Sequence, residues 1–169
     1  MDATARLLQF LDSDGRRLHR LLSRLTLRAD VADDLLQELF LKLRDSAGFR
    51  AANDPPAFAV RSAINLAFDW RRRMSRRREV SAAPERAILA DPLAKLAQRE
   101  ELEQTLAALA DLPESERLCL TLRHVEQMET DAIAAQLGKT PHQVRALCAK
   151  GIAKLRQRLG EPAREVPNG

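Results

Sequence analysis

Five side chains recur on one side of a helix in the stretch DPPAFAVRSAINLAFDWRRRMSRRR, residues 54–78: Phe58, Arg61, Asn65, Phe68 and Arg72, at i, i+3, i+7, i+10 and i+14. Rings stack on bases, an amide reads a base edge and guanidinium groups pair with phosphate, so this face suits nucleic acid. Arg61, Arg71, Arg72, Arg73, Arg76, Arg77 and Arg78 concentrate positive charge there, and Asp69 is the only acid between Asp54 and Glu79. Phosphates would neutralise such a field. A solvated basic tail at a helix end, favoured by the helix dipole, explains the arginine run equally well by itself. The amphipathic helix that precedes the run tips the balance towards binding.

A second chemistry-bearing pattern lies in TDAIAAQLGKTPHQVRALCAKGIAKLRQRL, residues 130–159. Thr130 can cap a first helix, Gly138 can take a tight turn, and Thr140 with Pro141 can start a second helix. Val144, Leu147, Cys148, Gly151, Ile152 and Leu155 face inward by period. His142, Ala146, Ala149 and Lys150 centre on the opposite side, with Gln143 and Arg145 at its flanks. In a helix-turn-helix, Gln143 or Arg145 would reach base edges in the major groove, while Lys150 and Arg156 meet phosphate. The competing reading is an ordinary helical hairpin with a charged exterior.

The remaining chain supplies scaffolding. With 169 residues, few aromatics and few glycines, and no convincing alternating strand, the sequence predicts an all-α protein of two small helical modules. Its formal net charge of +4 is modest, but Arg and Lys gather at residues 71–78 and 145–158, as two separate contacts with a polyanion require. On the α4-forming stretch, Asp54 can cap the helix, Pro55 and Pro56 fit its first turn, and Ala63, Ile64 and Ala67 form an apolar stripe that leaves the first face open.

Residues 3–27 read as one or two helices, with Ser13, Asp14 and Gly15 marking a break, and His19 as a structural imidazole. In DVADDLLQELFLKLRDS, Leu35, Leu36, Leu39, Phe40 and Leu43 make an apolar stripe, and Asp33, Asp34, Gln37, Glu38 and Lys42 remain for the other surface. Acids in the first turn suit the helix dipole. A metal reading of the Asp33 and Asp34 pair lacks any accompanying His, Gly-rich loop or second acidic cluster, so no metal, cofactor or catalytic residue is expected.

Residues 48–53 read as a loop whose Phe49 and Arg50 could touch an unstacked base. Residues 79–97 read as a linker, because Ser81, Pro84, Asp91 and Pro92 interrupt any helix. A helix then runs through Ala110, and Pro113 opens another that carries Leu118, Cys119, Leu122 and Val125 on its apolar side. Cys119 and Cys148 have no metal-binding spacing and are expected to be reduced core thiols. Without a long apolar span or a signal-peptide pattern, a soluble cytoplasmic protein is expected.

Taken together, DDLLQELFLKL, the helix with Asn65 and Asp69 before the arginines, the linker, LPESERLCLTLRHVE and the terminal helix-turn-helix resemble an extracytoplasmic-function sigma factor over residues 5–159. The resemblance implies sigma region 2 at residues 1–78, a linker at 79–97, region 4 at 98–159 and a flexible tail at 160–169. It implies that Asp34, Gln37, Glu38 and Phe40 dock on the clamp helices of the RNA polymerase β′ subunit. Phe49, Phe58, Arg61, Asn65, Arg72 and Arg73 would meet the -10 promoter element, and His142, Gln143, Arg145 and Lys150 the -35 element. An anti-sigma partner is also implied, with no membrane insertion.

The sequence departs from the family pattern in places. Phe58 stands where the family often has Trp, and Val144-Arg145-Ala146-Leu147-Cys148 replaces a common Val-Lys-Ser-Arg-Leu run, so the promoter sequence does not carry over. Two rival readings make different predictions. A helix-turn-helix regulator would bind duplex tightly without polymerase, and a nuclease would use Asp33, Asp34 and Glu38 around a divalent metal.

Overall fold

The computed structural model describes residues 2–78 and 92–160, with the side chains of 78 and 92–97 excepted. Among them are eight helices and no strand: α1 (Ala3–Thr26), α2 (Ala29–Arg44), α3 (Ala47–Ala51), α4 (Pro55–Arg78), α5 (Pro92–Ala110), α6 (Glu114–His124), α7 (Thr130–Leu137) and α8 (Pro141–Leu159).

Helix α1 runs unbroken through the expected interruption at Ser13, Asp14 and Gly15. The Ser13 hydroxyl donates to the Phe10 carbonyl at 2.9 Å, an intrahelical bond compatible with continuation. A central glycine costs a helix only about 1 kcal/mol relative to alanine, and the buried Leu7, Leu18, Leu21, Leu22 and Leu25 on the same helix outweigh it. The helix stops where Leu27 turns left-handed at φ 59° and its amide donates to the Ser23 carbonyl.

These leucines pack against Leu35, Leu39 and Leu43 of α2 and against Ala59, Val60, Ala63, Ile64 and Ala67 of α4, the apolar stripe expected from sequence. Alanines at four-residue intervals keep that side of α4 low, which lets α1 approach closely. His19 Nε2 lies 2.7 Å from Asp33 Oδ1 and links α1 to α2, the structural role expected of this imidazole.

Residues 47–51, read as part of a loop, form the short helix α3. Ser46 caps it by accepting the Phe49 amide at 3.1 Å. A side chain at Gly48 would bring its Cβ within 3.2 Å of the Phe58 ring, so the small residue is what lets α3 lie on α4.

In the second bundle α6 is the central helix, with Leu118, Cys119, Leu120, Thr121 and Leu122 buried. Helix α5 begins at Pro92, inside the span read as linker; residues 79–91 and 161–169, the rest of that linker and most of the expected tail, lie outside the described residues. Both cysteines are free and buried, as expected. Burial, with Cys148 nearby, pushes the Cys119 thiol up to about 11, and burial raises Cys148 as well.

Gly138 takes the left-handed turn between α7 and α8 at φ 63°. Thr130 does not cap α7: Glu129 holds that position without a side-chain bond, and the Thr130 hydroxyl accepts from Arg123 at 2.9 Å. At Gly151, α8 meets α6 so closely that an added Cβ would stand 2.6 Å from Leu120 Cδ1. Gly151→Ala is therefore expected to destabilise the protein by about 1–2 kcal/mol, because the buried Leu120 must shift to admit the methyl. Urea unfolding with an unchanged or higher midpoint would show that the seam has slack.

Candidate nucleic-acid interface

The first candidate face begins at the start of α4. Asp54 Oδ1 accepts the Ala57 amide at 3.1 Å, so the expected cap is formed and holds Pro55 and Pro56 in the opening turn. From there Phe58 leans on Phe49 of α3, ring centroids 6.0 Å apart, and Phe49 on Phe10 of α1 at 5.8 Å. The Arg61 guanidinium lies over the Phe58 ring at 5.9 Å, and its Nε is buried without a hydrogen-bond partner. Beside this ladder of rings opens a hollow of about 680 Å³, lined by Phe10, Phe49, Arg6, Arg44, Arg50 and Pro55 among others. Rings and guanidinium groups around a hollow of that size can take a base turned out of its stack.

Arg6, Phe10 and Arg44 were missed by sequence reasoning. Phe10 follows Leu7 at helical spacing and reads as core, and nothing local shows that α1 and α3 bring it to Phe49.

Further along α4 the expected open face divides. Phe68 is fully buried, with the Arg117 guanidinium of α6 over its ring at 5.7 Å. The two bundles meet here, and that contact covers the side of α4 that sequence period left exposed. Arg71 is also buried, 7% exposed, donating through Nε to the Leu25 carbonyl and through Nη1 to Glu103 of α5 at 2.8 Å. It braces the helices rather than facing phosphate. Arg72 is half-buried, pairing with Asp69 and donating to the Ala110 carbonyl at 2.7 Å, while Arg73, Arg76 and Arg77 are exposed. Asn65 is half-buried and engaged at both ends: Nδ2 donates to Glu114 at 3.2 Å and Oδ1 accepts from Arg117 at 3.3 Å.

The second face is the outward side of α8. Thr140 Oγ1 accepts the Gln143 amide at 3.1 Å while Gln143 Oε1 accepts the Thr140 amide at 2.9 Å, a reciprocal capping box that fixes the helix start. His142, Gln143, Arg145 and Lys150 are all exposed, and Val144 and Cys148 are buried against the bundle. The side chains picked from sequence thus share one solvent-facing surface.

A third surface is apolar. Leu8 of α1 is 52% exposed and Leu41 of α2 is 49% exposed. They flank a shallow hollow of about 450 Å³ whose lining includes Leu11, Gly15, Leu36, Gln37 and Phe40. Asp34, Gln37 and Glu38 are exposed around it, and Phe40 is half-buried. Asp33, the other acid of the nuclease reading, is held by His19.

Two small helical bundles, one with an aromatic and basic ridge and the other ending in a helix-turn-helix, define the class of two-domain helical transcription factors. The Sigma-70 region 2 family matches residues 10–77 and the Sigma-70 region 4 family matches residues 108–157. The chain therefore belongs to the sigma-70 family, in its extracytoplasmic-function branch, and is a polymerase-binding, promoter-recognising initiation factor. Comparison with curated protein sequences gives no match. Among solved structures it is similar to the sigma factor RpoE of Bartonella quintana, determined in complex with the anti-sigma factor NepR: 17% identity, covering 92% of this chain and 97% of that one, with a TM-score of 0.50. That likeness is one of fold. Among the described residues no helix is long and apolar enough to cross a membrane.

Proposed function

We propose that the three surfaces divide the work of initiation. The apolar patch between α1 and α2, rimmed by Asp34, Gln37, Glu38 and Phe40, docks on the clamp helices of the polymerase β′ subunit. Phe49, Phe58, Arg61 and Asn65, with Arg72 and Arg73 beyond them, hold the opened -10 strand. His142, Gln143, Arg145 and Lys150 of α8 enter the major groove at the -35 element. Residues 1–78 and 98–159 act as regions 2 and 4, and residues 79–97 join them.

The observation that carries this reading is the hollow beside Phe49 and Phe58 on one bundle together with the bare reading face of α8 on the other. A ring-lined recess is useful only to unpaired bases, and a capped, exposed helix start is suited to intact duplex. Opening is favoured because stacking and polar contacts in the recess exist only for the separated strand. The protein makes no covalent bond in this scheme and works in the cytoplasm beside polymerase. An anti-sigma factor, of the kind crystallised with the Bartonella protein, holds it in reserve.

Run-off transcription with purified core polymerase over a library of genomic promoters tests the scheme. Template-specific transcripts are expected, and their absence rejects it. Within that assay, Arg145→Ala is expected to cost about 1–3 kcal/mol of promoter affinity, concentrated at one base pair. Binding measured on a set of single-base promoter variants distinguishes the roles, since a uniform loss on every sequence would make Arg145 a phosphate contact.

A further inference from the structure

We infer that the free protein is latched shut: α5 and α6 of the second bundle occupy the strand-binding side of α4, and the latch must open before the -10 strand can bind. The inference rests on the assignment of Asn65 and its neighbours to that strand.

Asn65 offers one donor group and one acceptor to a base edge, and both are engaged by α6, the amide nitrogen with Glu114 and the oxygen with Arg117. Arg72, seven residues further along α4, gives one nitrogen to the Ala110 carbonyl at the end of α5 and the other to Asp69 on its own helix. Arg71 is tied to Glu103. The seam continues on α1 and at the start of α4. Arg17 pairs with Glu126 at 3.2 Å, Arg24 donates to the Val125 carbonyl at 3.3 Å, and Gln136 Nε2 donates to the Ala57 carbonyl at 3.5 Å. Glu103 and Glu114 therefore stand where acceptors of a nucleic-acid strand would otherwise meet Arg71 and Asn65.

What the seam leaves uncovered is as informative. The apolar patch around Phe40 and Leu41 and the reading face of α8 both remain accessible. The closed form can therefore meet polymerase and upstream duplex, but not the separated strand. Apparent affinity for that strand falls by the fraction of molecules that are open. The contacts joining the bundles include ion pairs and hydrogen bonds at partly exposed groups, which salt and competing partners can replace.

The test uses the full chain. Spin labels at Arg16→Cys on α1 and Gln157→Cys on α8, both exposed, report the distance between bundles, while the buried Cys119 and Cys148 label slowly. A narrow distribution is expected for the otherwise wild-type chain, and a broad one when Glu103→Gln and Glu114→Gln are added. A broad distribution without them, or an unchanged one with them, overturns the latch.

Fluorescence anisotropy with a short mixed-sequence DNA single strand gives the second readout. The acid-removing pair should bind about tenfold more tightly than wild type and than a charge-matched control, Asp12→Asn with Glu100→Gln. Equal affinities, alongside normal promoter-specific transcripts from both proteins, overturn the latch and leave the sigma-factor reading standing. No transcript from either protein defeats that reading instead, and the distance measurement still decides whether the bundles are latched.

Discussion

Phe68→Ala is expected to lower the unfolding free energy by about 3–5 kcal/mol, the usual cost of truncating a large buried ring. Phe68 is fully buried and Arg117 lies over its face, so truncation removes both apolar contact and the partner of a largely buried guanidinium. Burial, with Arg72 close by, already pushes the Arg117 guanidinium below its usual value. Losing the ring deprives that cation of a favourable contact without giving it water. Urea unfolding followed by circular dichroism measures the effect. A loss below about 1 kcal/mol would mean that the ring is not core and would return Phe68 to the open face that helical period suggested.

Phe40→Ala should weaken binding to core polymerase by about 2–4 kcal/mol, roughly thirtyfold to a thousandfold, as expected for an aromatic anchor at the centre of a docking patch. Its neighbours explain the size. Leu36, Leu41, Leu8 and Leu11 leave apolar surface around one hollow, and a partner that covers them removes that surface from water. Because Phe40 is half-buried, thermal unfolding of the same variant must accompany the affinity measurement. Leu41→Asp places a charge in the patch from an exposed position and should also weaken docking while leaving the fold intact. Undiminished affinity in both variants would move the docking site elsewhere.

Most of the fold was legible because it depends on local signals. The leucines of α1 and α2, the Asp54 cap, Gly138 and the Thr140-Pro141 start announce helices and their ends through spacing and capping chemistry alone. The expected break at residues 13–15 failed because turn-forming residues are overruled when apolar period continues on both sides of them. The 48–53 loop failed in the opposite direction: α3 is one capped turn resting on Phe10 and Phe58, and its support is tertiary. The reading face of α8 was legible, since an exposed face is simply what the inward stripe leaves over. The α4 face was only partly legible. Helical period places Phe68 and Arg72 beside Asn65, but no property of those residues reveals that a second bundle arrives on the same side. Arg117 shows the difficulty most clearly, as an arginine in a helix pattern that is 6% exposed in the folded protein.

The capping box at the start of α8 limits the language that Gln143 can speak in a DNA groove. Its carboxamide oxygen is committed to the Thr140 amide, which leaves only the NH2 group to address a base pair. A two-point match to adenine needs both halves of the carboxamide, so that pairing would come at the expense of the helix cap. With the cap intact, this position favours partners that present acceptors alone, the N7 and O6 of guanine or the O4 of thymine. Any preference for adenine in the upstream element must then originate with another side chain.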